Sequence, residues 1–317
     1  IKGNSLMSYN KYWLLLCLAA CMSPAYADVL VILPESGTMA RAGQSIKRGF
    51  LSAYTASGSK EKIIFVDSAK NSIDSIFKKK VTHKTRLIVG PLARPEIENV
   101  IQLSPKIPVL ALNDVNTQSA NVWQYSLAKQ DDAVALNQLL KKDGVKKLFV
   151  LRQTGTESAT ELFLVALMAE FGSDIAMVNQ LPKKLSRKEG VLLLGDHQWM
   201  EQLGALPEKN IYATPLSIEQ GQFIPLGLSF CDVPALYNGQ WADLIEAYKE
   251  QPENMAFQRL LAFGGDAWSM GQHLLEQTGQ VQFSFVGRTG AIELKDHKIS
   301  RQPYCYRQQK NGIEILK

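Results

Sequence analysis

The chain has 317 residues, of which 46% are hydrophobic and 21% charged, and it carries a formal charge of +5. These are the values of a globular protein, and so mild a charge gives no footing to a nucleic-acid partner. Removing Lys2 and Lys11 with the leader leaves +3 over the remainder, and that length suits two lobes with a core each.

The chain opens on an export signal. Residues 1–6 precede the first methionine, Met7, and are set aside. Lys11 is followed by a short apolar run, Tyr12 to Cys17, and then by Leu18-Ala19-Ala20-Cys21. A positive start, an apolar middle and small residues at the exit make a secretory signal. Small-small-Cys is also the pattern read by a bacterial lipoprotein signal peptidase, which would leave Cys21 first in the chain and lipidated. Ala25-Tyr26-Ala27 offers the ordinary A-x-A cut instead, releasing a soluble periplasmic protein that starts at Asp28. The apolar run is shorter than the roughly 20 residues of a spanning helix, so membrane contact is expected only through a lipid anchor.

From Asp28 strands and helices alternate. Val29 to Leu33 is a continuous apolar run of strand length, the pattern of a parallel sheet covered on both faces. After the turn Pro34-Glu35-Ser36-Gly37, the spacing of Ile46, Phe50, Leu51 and Tyr54 predicts a helix over 41–55. Strands are predicted at 62–66, 87–89, 109–111 and 122–125. Helices are predicted at 72–80 and from Pro95 to Leu103, proline suiting a first helical turn. The pattern then restarts. Helices are predicted at 130–142, 157–171 and 197–203, and strands at 147–151, 175–178, 191–194 and 211–213. In the last third a strand at 227–230 precedes helices at 241–250 and 257–277. Strands follow at 283–286, 291–294, 304–308 and 313–316, the last two joined by the hairpin signal Asn311-Gly312.

Repeated βα units imply right-handed, mostly parallel sheets flanked by helices. We therefore expect a two-lobed α/β fold with interleaved chain crossings near Ser126, Pro225 and Val281. Lobe 1 is expected to comprise 28–126 with 227–281, and lobe 2 to comprise 127–226 with 282–317.

Ligands of such sheets sit at the carboxyl ends of the strands, beside loops and helix N-termini. Ser36, Gly37 and Thr38, with Asn113 and Asp114, are therefore the cleft candidates for a small ligand such as a carboxylate or peptide fragment. The alternative, that Ser36 caps the helix that follows and Gly37 serves only the turn, is the favoured reading. Asp232 and Pro234 read as a turn after a strand, and Asp266, beside Gly264-Gly265 in a helix, as a residue fixing a hinge or a neighbouring lobe. Cys231 and Cys305 either form a disulfide in an oxidising compartment or serve as two small buried hydrophobes. No CxxC occurs, His83, His197, His273 and His297 are scattered singly, and neither a metal nor a cofactor is expected. The runs Lys78-Lys79-Lys80, Lys141-Lys142 and Lys146-Lys147 read as solvated helix ends.

Catalytic patterns are weak. Ser57-Gly58-Ser59-Lys60 and Ser126-Leu127-Ala128-Lys129 both match S-x-x-K, and Arg288-Thr289-Gly290 echoes K-T-G, but the S-x-N between them is missing. There is no G-x-S-x-G, Walker loop or H-E-x-x-H. The chain is read as a non-enzyme.

A resemblance sharpens this reading. Ile32-Leu33-Pro34-Glu35-Ser36-Gly37 with Gly49-Phe50, and Val89-Gly90-Pro91-Leu92 followed by Pro108 to Asn113, resemble the type I periplasmic binding proteins. Three later motifs are similar to a narrower family, the LpoA-type outer-membrane lipoprotein activators of class A penicillin-binding proteins. They are Gly227-Leu228-Ser229-Phe230-Cys231-Asp232-Val233-Pro234, the run Arg259 to Trp268, and Gly287-Arg288-Thr289-Gly290 with Arg301 and Asn311-Gly312. The resemblance implies peptidoglycan synthesis, a class A penicillin-binding protein as partner and attachment to the outer membrane. The fold alone implies the alternative, a solute-binding protein delivering amino acids or small peptides to an ABC transporter. The activators also carry a TPR-type helical-repeat domain ahead of this module, whereas here seven residues follow Cys21 up to Asp28, a tether of about 25 Å at full extension.

Overall fold

A computed structural model describes residues 28–276 and 281–316. The Cys21 lipid-attachment expectation lies outside them. The first sheet holds β1 (Asp28–Leu33), β2 (Lys62–Asp67), β3 (Thr85–Val89), β4 (Val109–Ala111) and β5 (Val122–Gln124) in the order β2-β1-β3-β4-β5, every pair parallel. Helices α1 (Ala40–Ser57), α2 (Ile73–Lys80) and α3 (Arg94–Gln102) make the crossovers. All six residues of β1 are buried, because successive side chains point to opposite faces and both faces are covered. Val29, Val31 and Leu33 join Ile46 and Phe50 of α1 in one core; Leu30 and Ile32 join Ile73, Ile76 and Ile97 of α2 and α3 in another.

The chain continues through α4 (Lys129–Lys142), β6 (Lys147–Arg152), α5 (Glu157–Phe171), β7 (Ile175–Val178), β8 (Glu189–Leu194), α6 (His197–Gln202), β9 (Ile211–Ala213) and β10 (Leu228–Asp232). Then come α7 (Ala235–Asn238), α8 (Ala242–Glu250), α9 (Met255–Glu276), β11 (Phe283–Val286), β12 (Ala291–Lys295), β13 (Lys298–Gln302), β14 (Tyr304–Gln309) and β15 (Gly312–Leu316). The second sheet runs β15-β14-β10-β9-β8-β6-β7, parallel from β10 to β7 and antiparallel at β14 and β15. Strands β11-β12-β13 form a separate antiparallel sheet whose Ile292 and Leu294 enter the first-lobe core with Trp268 of α9.

Two segments lie elsewhere than expected. Strand β10, placed with lobe 1 in the 227–281 assignment, sits inside the second sheet between β9 and β14. Its five residues are all buried, so it needs a ladder on both sides and covered faces. Strands β11–β13, placed with lobe 2, cover the first-lobe core. The crossings after the first therefore follow Asp232 and Gln302. Strand β13 was absent from the predicted elements: Lys298-Ile299-Ser300-Arg301-Gln302 holds a single large apolar residue, and its turn at Asp296 and His297 takes φ of 49° and 64° without glycine.

Helices α1 and α9 meet backbone to backbone. A Cβ on Gly49 would stand 1.8 Å from the Leu261 carbonyl oxygen, and one on Gly264 would stand 2.0 Å from that of Ile46. The opposing atoms are main chain and cannot swing aside, so the two glycines set the separation of the helices. Cys231 and Cys305 pair directly across β10 and β14 and are joined as a disulfide, which decides between the two readings of these residues.

Three substitutions test this packing by their effect on stability. Gly264→Ala lowers the stability measured by urea unfolding by at least about 2 kcal/mol, because the helices must separate. Gly58→Ala, where nothing lies within 4 Å, costs about 1 kcal/mol through its positive φ. Replacing Cys231 and Cys305 by serine frees a loop spanning 74 residues and costs about 2–4 kcal/mol. Equal stability of the double variant and the oxidised parent contradicts this.

Candidate functional site

The first two crossings touch α9 through Tyr125 and Asp232, and the third is linked to it through the turn at Thr289. Asp266, in the middle of α9, has no solvent exposure. Its carboxylate accepts the Arg288 N–H at 2.7 Å, the Thr289 N–H at 2.7 Å and the Thr289 hydroxyl at 2.7 Å. Thr289 has one hydroxyl proton, and it points to Asp266. The 2.7 Å contact between Thr289 Oγ1 and the Tyr125 hydroxyl is therefore donated by Tyr125. Burial pushes the Asp266 carboxyl up from its ordinary range, and the bonds from Thr289 and Arg288 oppose that rise. Burial, together with the Asp266 charge, raises the Tyr125 phenol well above its usual value.

This node reaches three neighbouring elements. Arg288 pairs with Asp243 of α8 at 2.7 Å. Arg301 of β13 donates to the Thr289 carbonyl at 3.2 Å and pairs with Asp132 of α4 at 2.5 Å. Gly290 closes the turn at φ 145°, where a Cβ would lie 2.2 Å from the Gln302 carbonyl oxygen. Two helical turns before Asp266, on the same face of α9, Arg259 grips Asp232 at the end of β10 through Nε at 2.8 Å and Nη2 at 2.7 Å. The same guanidinium donates to the Pro215 carbonyl at 3.2 Å, and the Tyr237 hydroxyl donates to Asp232 at 2.7 Å. Burial, the largest single influence, pushes the Arg259 guanidinium down, but the Asp232 charge, the hydrogen bond to Asp232 and the nearby Tyr237 and Glu219 together outweigh it, and the net direction is up. Asp232 thus acts as an ion-pair partner besides accepting the Val233 N–H, and Pro234 opens α7 with its carbonyl accepting the Tyr237 N–H.

The cleft candidates lie at the carboxyl edge of the first sheet, and the polar side chains of Ser36, Asn113 and Asp114 are engaged there. The Ser36 hydroxyl donates to Asp67 at 2.8 Å, and the Glu35 N–H donates to the other Asp67 oxygen at 2.9 Å. The latter bond, first among several, holds Asp67 below the usual carboxylate range. Ser36 does not cap α1, whose N-cap is Met39 without a side-chain bond. Gly37 takes φ 74°, and Thr38 is exposed. Asn113 donates to the Leu92 carbonyl at 3.1 Å, and Asp114 pairs with Arg94 at 3.4 Å. A cavity of about 690 Å³ between the lobes is lined by Asn113 and Asp114 with Leu162 of α5 and Leu260 and Phe263 of α9; Ser36, Gly37 and Thr38 are not part of its lining. The Ser57 hydroxyl of one S-x-x-K match donates to the Tyr54 carbonyl and accepts from Trp268, so it serves packing. Among the described residues, no His, Cys, Asp and Glu cluster could hold a metal ion, and no helix is long and apolar enough to cross a membrane.

Tyr125, Asp132 and Asp243 were missed as members of this node. Their partners lie far along the chain, 164 residues from Tyr125 to Thr289 and 169 from Asp132 to Arg301, so no local spacing marks them.

The geometry can be set beside known proteins. A family model described as "LppC putative lipoprotein" matches residues 15–160. The penicillin-binding protein activator LpoA of Pasteurella multocida is 24% identical, over 92% of this chain and 55% of its own length. The C-domain of Haemophilus influenzae LpoA, a regulator of PBP1A, superposes with a TM-score of 0.74 at 20% identity, covering 92% of this chain and 100% of that one. The chain resembles LpoA. It spans about half the length of the curated relatives it matches. A solute-binding protein of an ABC transporter from R. palustris, in complex with benzoate, shares the fold at a TM-score of 0.55 and 16% identity, covering 92% of this chain and 95% of that one. The LpoA resemblance and these neighbours together establish a two-lobed fold of the type I periplasmic-binding-protein kind.

Asp131, next to Asp132 at the first crossing, gives this region a pH signature. Burial raises its carboxyl to about 6, against the attraction of Arg301. Its folded pKa stands above the unfolded one, so the folded state takes up a proton more readily as pH falls through 6 toward 4. The contribution of this group to stability therefore grows over that window and is lost as pH rises through 6. Asp131→Asn removes the dependence and is the more stable protein at pH 7.5 in urea unfolding. A carboxyl carbon NMR titration of Asp131 centred near 4 refutes the assignment.

Proposed function

We propose that this chain is a non-catalytic envelope lipoprotein module that binds a class A penicillin-binding protein and activates it in peptidoglycan synthesis. The observation that carries the reading is the LpoA resemblance, which extends over 92% of the chain. We take Cys21 as the lipid-bearing residue and the outer membrane as the place of attachment. The solute-binding alternative rests on the fold alone.

A protein-binding role needs an apolar surface open to a partner, and α5 carries one. Phe163, Leu164 and Leu167 face the core, while Leu162, Val165 and Met168 on the opposite side are 61%, 55% and 48% exposed. Three large apolar side chains on one outward helix face suit the core of an interface. We further propose that 28–126 with 233–302, and 127–232 with 303–316, act as the two lobes. Binding of the synthase on the α5 side then selects one arrangement of the lobes about the α9 node.

Mixed with a purified class A penicillin-binding protein, the chain raises its transpeptidase rate and forms a complex in crosslinking. The triple variant Leu162→Asp, Val165→Asp, Met168→Asp keeps its thermal midpoint and loses the effect, with affinity down by more than about thirtyfold. No complex and no change of rate with the unaltered chain refutes the function. Full activity of the triple variant refutes only the surface.

A further inference from the structure

We propose that the groove between α4 and the β14–β15 hairpin binds an N-acetylated oligosaccharide. The groove encloses about 850 Å³, within the usual range of roughly 300–1,000 Å³ for small-molecule sites. Its lining divides into two kinds of surface. Pro303, Tyr304, Leu139 and Leu316 contribute an apolar floor. Gln138, Asn238, Gln240 and Gln302 place four carboxamides around it. The cavity between the lobes is different, lined by Arg94, Glu98, Asp114 and Lys129.

Each carboxamide offers two N–H donors and a two-lone-pair acceptor, the complement of a hydroxyl that both donates and accepts. A pyranose ring presents hydroxyls along its edge and C–H groups on its faces, and those faces suit an apolar, partly aromatic floor. An acetamido group adds a methyl for the floor and an amide for the rim. Lys142 is the one charged residue in the lining and no carboxylate is present, so the ligand is neutral or anionic. Val286 at the groove is 60% exposed and Ile315 is 39% exposed, and both lose water contact when a ring covers them. Gln302 donates to Gln138 and the Gln240 backbone N–H to the Asn238 side-chain carbonyl oxygen, and an all-apolar protein segment would cover the remaining carboxamide donors and acceptors without pairing them, which disfavours it.

The groove also straddles a crossing. Gln302, at the end of β13, donates to Gln138 of α4 at 2.9 Å and directly follows Arg301, the partner of Asp132. A ligand held between these glutamines grips both sides of the third crossing. The inference does not depend on the synthase partner, so each can fail without the other.

The test is an amide NMR titration of the full chain with tetra-N-acetylchitotetraose. Saturable shifts clustered on Gln138, Gln302 and Tyr304 are expected, with a dissociation constant of about 1 mM or below. Cellotetraose, which lacks the acetamido groups, binds more weakly. Gln138→Ala with Gln302→Ala weakens binding by about tenfold at an unchanged thermal midpoint. Ala291→Trp, which fills the groove from an exposed position, abolishes it. No shifts, shifts centred on the Asn113 cavity, saturable binding in the same groove by an amphipathic peptide with none by the saccharide, or equal affinity for cellotetraose overturns the assignment.

Discussion

A carboxylate with no access to water must be satisfied where it stands, and Asp266 shows what that demands of a fold. Three donors converge on it from two consecutive residues, Arg288 and Thr289, which lie more than 20 positions further along the chain. Removing the carboxylate orphans two buried N–H groups; removing the donors leaves a buried charge that costs about 3–5 kcal/mol. The turn that carries them is therefore held to α9. Through Arg288 to Asp243 and Arg301 to Asp132, so are α8 and α4.

That constraint explains the close approach of α1 and α9. Helix α9 has to lie against the first-lobe core to bury Phe263, Ala267 and Trp268, while keeping Arg259 within reach of β10 in the second sheet. A helix of 22 residues is about 33 Å long, enough to serve both. Gly49 and Gly264 let it settle onto α1 at a separation that a methyl group would prevent. The late motifs that resemble the LpoA family, at 227–234, 259–268 and 287–290, thus supply the parts of one buried network.

Local pattern and long-range pairing were unequally legible in the sequence. Val29 to Leu33 and Val191 to Leu194 announce strands because a strand buried on both faces has no polar alternation. The helices of the first lobe show in the spacing of Ile46 and Phe50 or Ile73 and Ile76. Which sheet a strand joins is another matter. Strand β10 and the first-lobe strands have the same apolar character, and only the pairing with β9 and β14 distinguishes them. Strand β13 escaped notice because its buried residue is Arg301, which enters the interior through its ion pair with Asp132 rather than through hydrophobicity. Their place after predicted parallel strands put Ser36 and Asn113 at a cleft, but their hydrogen bonds depend on Asp67 and the Leu92 carbonyl, which strand position and residue type do not predict.

The engaged state of those cleft groups bears on what the molecule can recognise. A solute entering between the lobes gives up its hydration and needs donors and acceptors that are free to replace it. Ser36 is directed to Asp67, Asn113 to the Leu92 carbonyl and Asp114 to Arg94, so the first-lobe edge would have to break its own bonds to receive one. The outward face of α5 has no such bonds to break, and in the carboxamide-rimmed groove a ligand has to share or replace the bond from Gln302 to Gln138. Both abut the crossings: Leu162 of α5 lines the cavity beside Leu260 and Phe263 of α9, and Gln302 adjoins Arg301. A partner on one surface and a saccharide on the other would each favour whichever lobe arrangement gives it the better contact, and that differential affinity is all that coupling between two sites requires.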